Sequence, residues 1–147
     1  MFTFQRGARI LSHGVENLAI VLTSNMLEWL RELPTRRALH MLKLIAELLR
    51  KHREVAWPGR LEELAANLRA AQDSGDRDRL VDAMNQILAC FSGVASLNNL
   101  QLSPHAGNRI KPEEVEPANA RLGALRTQLH LSARQTIARI EWQRRRA

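Results

Sequence analysis

The stretch Ala38-Leu39-His40-Met41-Leu42-Lys43-Leu44-Ile45-Ala46-Glu47-Leu48-Leu49 decides the fold. Ala38, Met41, Leu42, Ile45, Leu48 and Leu49 recur at the three- and four-residue steps of an α-helix, and Leu39 and Leu44 widen the stripe. A stripe this wide predicts a central helix touched on two sides, over about 36–53, with Thr35 as its cap. On the N-terminal side, Leu18, Leu22, Met26, Trp29 and Leu33 line one face of a helix over about 15–33. Pro34 is expected to end that helix, because its ring removes a donor and clashes with the preceding turn.

On the C-terminal side, Trp57-Pro58-Gly59 is a break. A third helix is predicted over about 60–71, with Leu61, Leu64, Ala65 and Leu68 inward and Glu62 and Glu63 in its first turn, facing the positive end of the helix dipole. Asp73-Ser74-Gly75-Asp76 reads as a turn. A fourth helix follows over about 76–91, with Leu80, Met84, Ile87, Leu88 and Phe91 as its stripe and Gly93 as its C-cap. Residues 92–111 have no helical period, yet Leu97, Leu100, Leu102 and Ile110 anchor them, so this long stretch reads as a structured loop. The last helix is expected to start near Pro117, after a short turn at 112–116. Its stripe is Leu122, Leu125, Leu129, Ala133, Ile137 and Ile140. The fold class is therefore all-α: a single-domain bundle of about five helices with a polar loop between helices four and five. Residues 1–40 form an N-terminal helical extension and 41–140 the core.

Composition agrees. The 147 residues are 45% apolar and 25% charged, which suits a globular chain and not a disordered one. The absence of tyrosine disfavours a strand-rich fold. Apolar runs of about five residues fall far short of the roughly 20 that span a membrane, so no membrane association is expected. The N-terminus lacks the unbroken apolar segment of a secretion signal. Cys90, the one cysteine, fits a reducing compartment, and the chain is expected in the cytoplasm.

The net charge of +7 is unevenly spread: +4 over residues 1–59, −3 over 60–118 and +6 over 119–147. A nucleic-acid coat would interleave aromatics with its basic stripe. The most basic segment here has only Trp142, and an acidic protein partner explains its charge as well. Binding to nucleic acid is expected to be weak and nonspecific.

Reaction chemistry finds little support. His13, His40, His52, His105 and His130 include no pair at the spacing of ligands on one helix face, so no metal is expected. No G-x-S-x-G, no phosphate-binding glycine loop and no cysteine pair is present. Glu62–Glu63 and Glu113–Glu114 both fall at helix starts, where the dipole accounts for them. No catalytic residue and no cofactor is expected, and an enzyme using the loop as its site is the least supported reading.

The loop concentrates Ser, Asn and His between apolar anchors. Asn98 and Asn99 either tie up loop backbone or face a partner. Trp57 is either a lid on the core or a surface anchor. The residues that would meet a partner are Trp57, Ser96, Asn98, Asn99, His105, Asn108, Arg121 and Arg139. The last two stand five turns apart on the final helix and share a direction.

The run Phe91-Ser92-Gly93-Val94-Ala95-Ser96-Leu97-Asn98-Asn99-Leu100 resembles the F-x-G-x-G-S-L-N-D-L signature of a family of small bacterial helical proteins of unknown function. Before that signature the family has a Trp and a leucine-rich helix, here Trp57, Leu61 and Leu64. After it come a Gly/Asn turn, here Gly107-Asn108, and an E-x-x-x-x-N-x-x-L-x-x-L helix, here Glu114, Asn119, Leu122 and Leu125. The resemblance covers roughly residues 40–137. Ala95 stands where the family has glycine and Asn99 where it has aspartate, and the lost carboxylate weakens a catalytic or metal role for the loop. Small helical proteins of this kind are often immunity proteins encoded beside bacterial toxins. By that analogy the resemblance implies a protein that binds and blocks a cognate toxin with an acidic surface. A small basic nucleic-acid-associated regulator is the alternative.

Overall fold

The computed structural model describes the backbone from Arg6 to Ala147 and the side chains from Thr23 onward. Its regular elements are all helical: α1 (Arg6–Lys51), α2 (Pro58–Ser74), α3 (Arg77–Ala89), two short 3₁₀ turns at Leu97–Asn99 and Pro104–Ala106, and α4 (Pro112–Arg146). The chain is an all-α bundle, with four α-helices among the described residues where the sequence predicts five. The Leu18 and Leu22 side chains of the first stripe lie outside what the structure describes, as do the side chains of the stretch read for a secretion signal.

The difference in count arises at Pro34. Helix α1 continues through it, and Thr35, expected as a cap, is buried inside the helix at 2% exposure. Proline's φ is itself helical. What it forfeits is one hydrogen bond and clearance from the carbonyl four residues back, about 3 kcal/mol. Strong helix formers on both sides, Leu30 to Leu33 and Arg36 to Ala38, carry the helix through. The chain divides into two compact units at this residue, Met1–Leu33 and Pro34–Ala147. In the first, Met26, Leu27, Trp29 and Leu30 are each about half exposed.

The second unit holds one apolar cluster. Ala38, Leu42, Ile45 and Leu49 of α1 meet Leu61 and Leu68 of α2, Met84 and Ile87 of α3, and Leu122, Leu129 and Ala133 of α4; the loop adds Leu97 and Leu102. Leu39, Met41 and Leu48, at the edges of the wide stripe read from α1, are partly buried against it.

Three helix ends differ from expectation. Helix α2 begins at Pro58, where the missing N–H costs nothing. The Glu54 carboxylate accepts from the N–H groups of Ala56 at 3.0 Å and Trp57 at 2.8 Å just before it. Glu62 and Glu63 therefore fall beyond the first turn and do not serve its dipole; Glu62 pairs with Arg50 of α1 instead. Helix α3 is capped at its start by Asp76, which accepts from Asp78 N–H at 2.9 Å and Arg79 N–H at 3.3 Å. It ends at Cys90, so Gly93 is not its cap but a left-handed turn residue in the loop, φ 91°. Helix α4 begins at Pro112, five residues before the expected start. The Glu114 carboxylate accepts from Lys111 N–H at 3.1 Å, and Pro117 is carried inside the helix. At its far end Arg144 pairs with Asp78 of α3. Among the described residues, no helix is long and apolar enough to cross a membrane.

Candidate functional site

The loop from Cys90 to Lys111 closes its turns with short-range backbone bonds, and side chains satisfy further backbone groups. Asn98 Nδ2 donates to the Phe91 carbonyl at 3.2 Å. Asn99 Nδ2 donates to Gly93 O at 3.2 Å and Val94 O at 3.0 Å. Asn108 Oδ1 accepts from Ser103 N–H at 3.0 Å, and Ser103 Oγ accepts from Ala106 N–H at 3.1 Å. Two side chains of α4 complete the fastening. Asn119 accepts from Leu102 N–H at 2.8 Å and donates to Leu102 O at 2.9 Å. Arg126 Nη1 lies within 2.8 Å of Leu97 O, 3.1 Å of Asn98 O and 2.9 Å of Leu100 O, donating to all three. From α1, His52 is joined to Arg109 both by Nδ1 to the carbonyl at 3.1 Å and by a backbone bond at 2.8 Å.

The residues expected to meet a partner are dispersed. Trp57 is 7% exposed and part of the core; Arg60 stacks over its ring at 4.9 Å. Ser96 is buried at 5% exposure. Asn98 and Asn99 are exposed, but each commits its amide N–H to loop carbonyls. His105 is exposed on the second 3₁₀ turn and Asn108 is half-buried beside it. Arg121 is exposed and Arg139 half-buried on α4. The structure thus gathers Ser96, Asn98 and Asn99 at one turn of the loop and His105 and Asn108 at the other. Trp57 and the two arginines stand apart from both.

Of the expected residues, Asn98 alone lines a pair of adjoining clefts against α4. A cleft of about 510 Å³ lies between α3, the loop and α4, lined by Asn85, Phe91, Asn98, His130, Arg134 and Glu141 among others. It adjoins a second of about 610 Å³ that shares Phe91, Asn98, His130 and Arg134 and adds Arg126. Phe91 and His130 meet edge to face, ring centroids 5.0 Å apart. Arg126, His130 and Arg134 follow at four-residue steps and so share one face of α4. Burial pulls the Arg126 guanidinium below its usual pKa, but the group remains a cation at neutral pH. The four-residue spacing was the available signal for this row. It is hidden because arginine on a helix ordinarily reads as a solvated face.

Cys90 is buried, with its thiol pushed up first of all by desolvation, which disfavours the nucleophilic thiolate. Among the described residues no group of three or more His, Cys, Asp or Glu could hold a metal ion. No protein-family model matches the chain, and no curated protein or solved structure is detectably similar to it.

Proposed function

We propose that the chain is a non-catalytic protein-binding module, an immunity protein that binds and blocks a bacterial toxin in the cytoplasm. The observation that supports this is the loop fastened in advance. With Asn119 and Arg126 of α4 making five hydrogen bonds to its backbone, and Asn98, Asn99 and Asn108 holding the turns, the loop has little ordering entropy left to lose on binding. The resemblance to the small bacterial helical proteins adds support, because its pattern residues have structural tasks. Glu114 caps α4, Asn119 pairs with Leu102, and Gly107 adopts φ 82°. Gly93 needs the left-handed region as well, whereas Ala95 does not, which accounts for alanine at a position where the family has glycine. Asn99 acts as a donor to two carbonyls, a task aspartate could not perform.

The excess of +6 over residues 119–147 favours a partner with an acidic surface. The test is co-expression with the product of the neighbouring gene. A toxin that arrests growth alone, is tolerated in the presence of this chain and co-purifies with it is the expected result. A toxin neighbour that neither binds nor is neutralised overturns the reading, as does a sequence-specific nucleic-acid complex that survives physiological salt.

A further inference from the structure

We infer that the Arg126–His130–Arg134 row of α4 receives an extended acidic segment of the protein partner, an inference that rests on the protein-binding reading above. Arg126 is the fixed point. Its hydrogen bonds go to the carbonyls of Leu97, Asn98 and Leu100, which orient the guanidinium but carry no net charge to neutralise it. The result is a half-buried cation held in place at the edge of a cleft, the arrangement in which a carboxylate gains most from meeting it. His130 and Arg134 extend the row by one turn each, about 6 Å per step at 1.5 Å rise per residue.

That step sets the shape of the guest. In an extended chain, side chains on one face recur every second residue, about 6.6–6.8 Å apart. Acidic residues at alternate positions therefore run in step with the row across its length. Leu88, Phe91 and Ile137 are partly buried along the cleft and give it an apolar part. Asn85 lines the same cleft and offers its amide to a guest backbone, while Asn98 beside it offers its Oδ1, its Nδ2 being held by the Phe91 carbonyl. Glu141 is the one carboxylate among the described lining residues, and it closes the row to a further acidic side chain. A nucleic-acid strand fits less well, because the stacking platform it would use is Phe91, which is half-buried and already in contact with His130. Arg121 and Arg139 form a separate surface: Arg139 follows Arg126 by 13 residues, roughly 220° around the helix, and lies on the other flank of the buried stripe.

The test uses the full chain and a fluorescein-labelled octapeptide of alternating Glu and Ser, with the Gln-Ser peptide as control, read by fluorescence anisotropy at low salt. The Glu peptide is expected to bind at least about tenfold more tightly than the Gln peptide. Arg134→Glu is expected to weaken it by about tenfold, while the double variant Arg121→Glu/Arg139→Glu stays within about twofold of wild type. Circular dichroism confirms that each variant is folded; Arg126 is left intact because it holds the loop. Equal loss in both variants means that net charge alone attracts the peptide, and overturns the site. So does an oligouridylate that displaces the peptide with tighter, Arg134-dependent binding. A neighbouring toxin that binds wild type and Arg134→Glu equally overturns this site and leaves the binding module standing. Arg134-dependent peptide binding beside a toxin that the chain neither binds nor neutralises supports the site and removes the immunity reading.

Discussion

Asn119 holds both backbone groups of one residue, Leu102, and Leu102 is wholly buried. Replacing it with alanine leaves a buried donor and a buried acceptor without partners, so Asn119→Ala is expected to cost about 2–4 kcal/mol. Asn119→Asp keeps the acceptor, loses the donor and sets a carboxylate against a carbonyl, and should be no more stable. Urea denaturation of both variants measures this; an Asn119→Asp protein as stable as wild type would show that the pairing is not what holds the loop. Arg126→Met removes the donor to three carbonyls while keeping the aliphatic stem. An expected loss of about 1.5–3 kcal/mol follows, since hydrogen bonds to a charged group lie in that range. Sequence reading found these two residues unequally. Asn119 was visible only as one letter of a family pattern, without its task. Arg126 carries no such signal, because a partner 26 to 29 residues away in a loop leaves no periodic trace. The reading of Asn98 and Asn99 left two alternatives open, and the structure shows both amides bonded to loop carbonyls.

Among the elements, the apolar stripes were the most legible features. Leu42, Ile45 and Leu49, Leu61 and Leu68, Met84 and Ile87, and Leu122 and Leu129 were all placed inward by period alone, and all are buried. Such stripes persist because a helix in a bundle can bury only one face. The ends were less legible, for two reasons. Proline was read as a stop at Pro34 and as a start at Pro117, whereas both lie inside helices, at a cost that flanking residues meet. The apolar period also restarts in a new phase after Pro34, which resembles the beginning of a second helix. A continuous α1 makes a definite prediction. Pro34→Ala restores one hydrogen bond and removes one clash, so helicity at 222 nm and thermal stability should rise, by up to about 3 kcal/mol. Unchanged helicity and stability would mean that the helix does not run through this residue.

Across the whole molecule, the uneven charge is partly spent within the fold. The acidic middle of the chain pairs with both basic ends: Glu62 with Arg50, and Asp78 with Arg144. Part of the charge that sequence alone assigns to a partner is therefore internal. The same pairing fixes how stability responds to acid. The hydrogen bond from Arg50 holds the Glu62 carboxyl below its usual range, and the backbone N–H of Lys111 does the same for Glu114. Each carboxylate binds a proton less readily in the folded chain than in the unfolded one, so protonation favours unfolding. The stabilisation is complete above the unfolded carboxylate pKa of about 4.3 and is lost as pH falls through the lower folded values. Salt bridges this exposed are weak singly, so the readout is the shape of the curve, not its height. We expect the urea midpoint of wild type to fall more steeply than that of Glu62→Gln/Glu114→Gln between about pH 4.5 and 2.5. The double variant should be the less stable of the two near neutrality, and the curves should converge in acid. Curves that run parallel over the whole range would show that neither carboxylate is held by the fold.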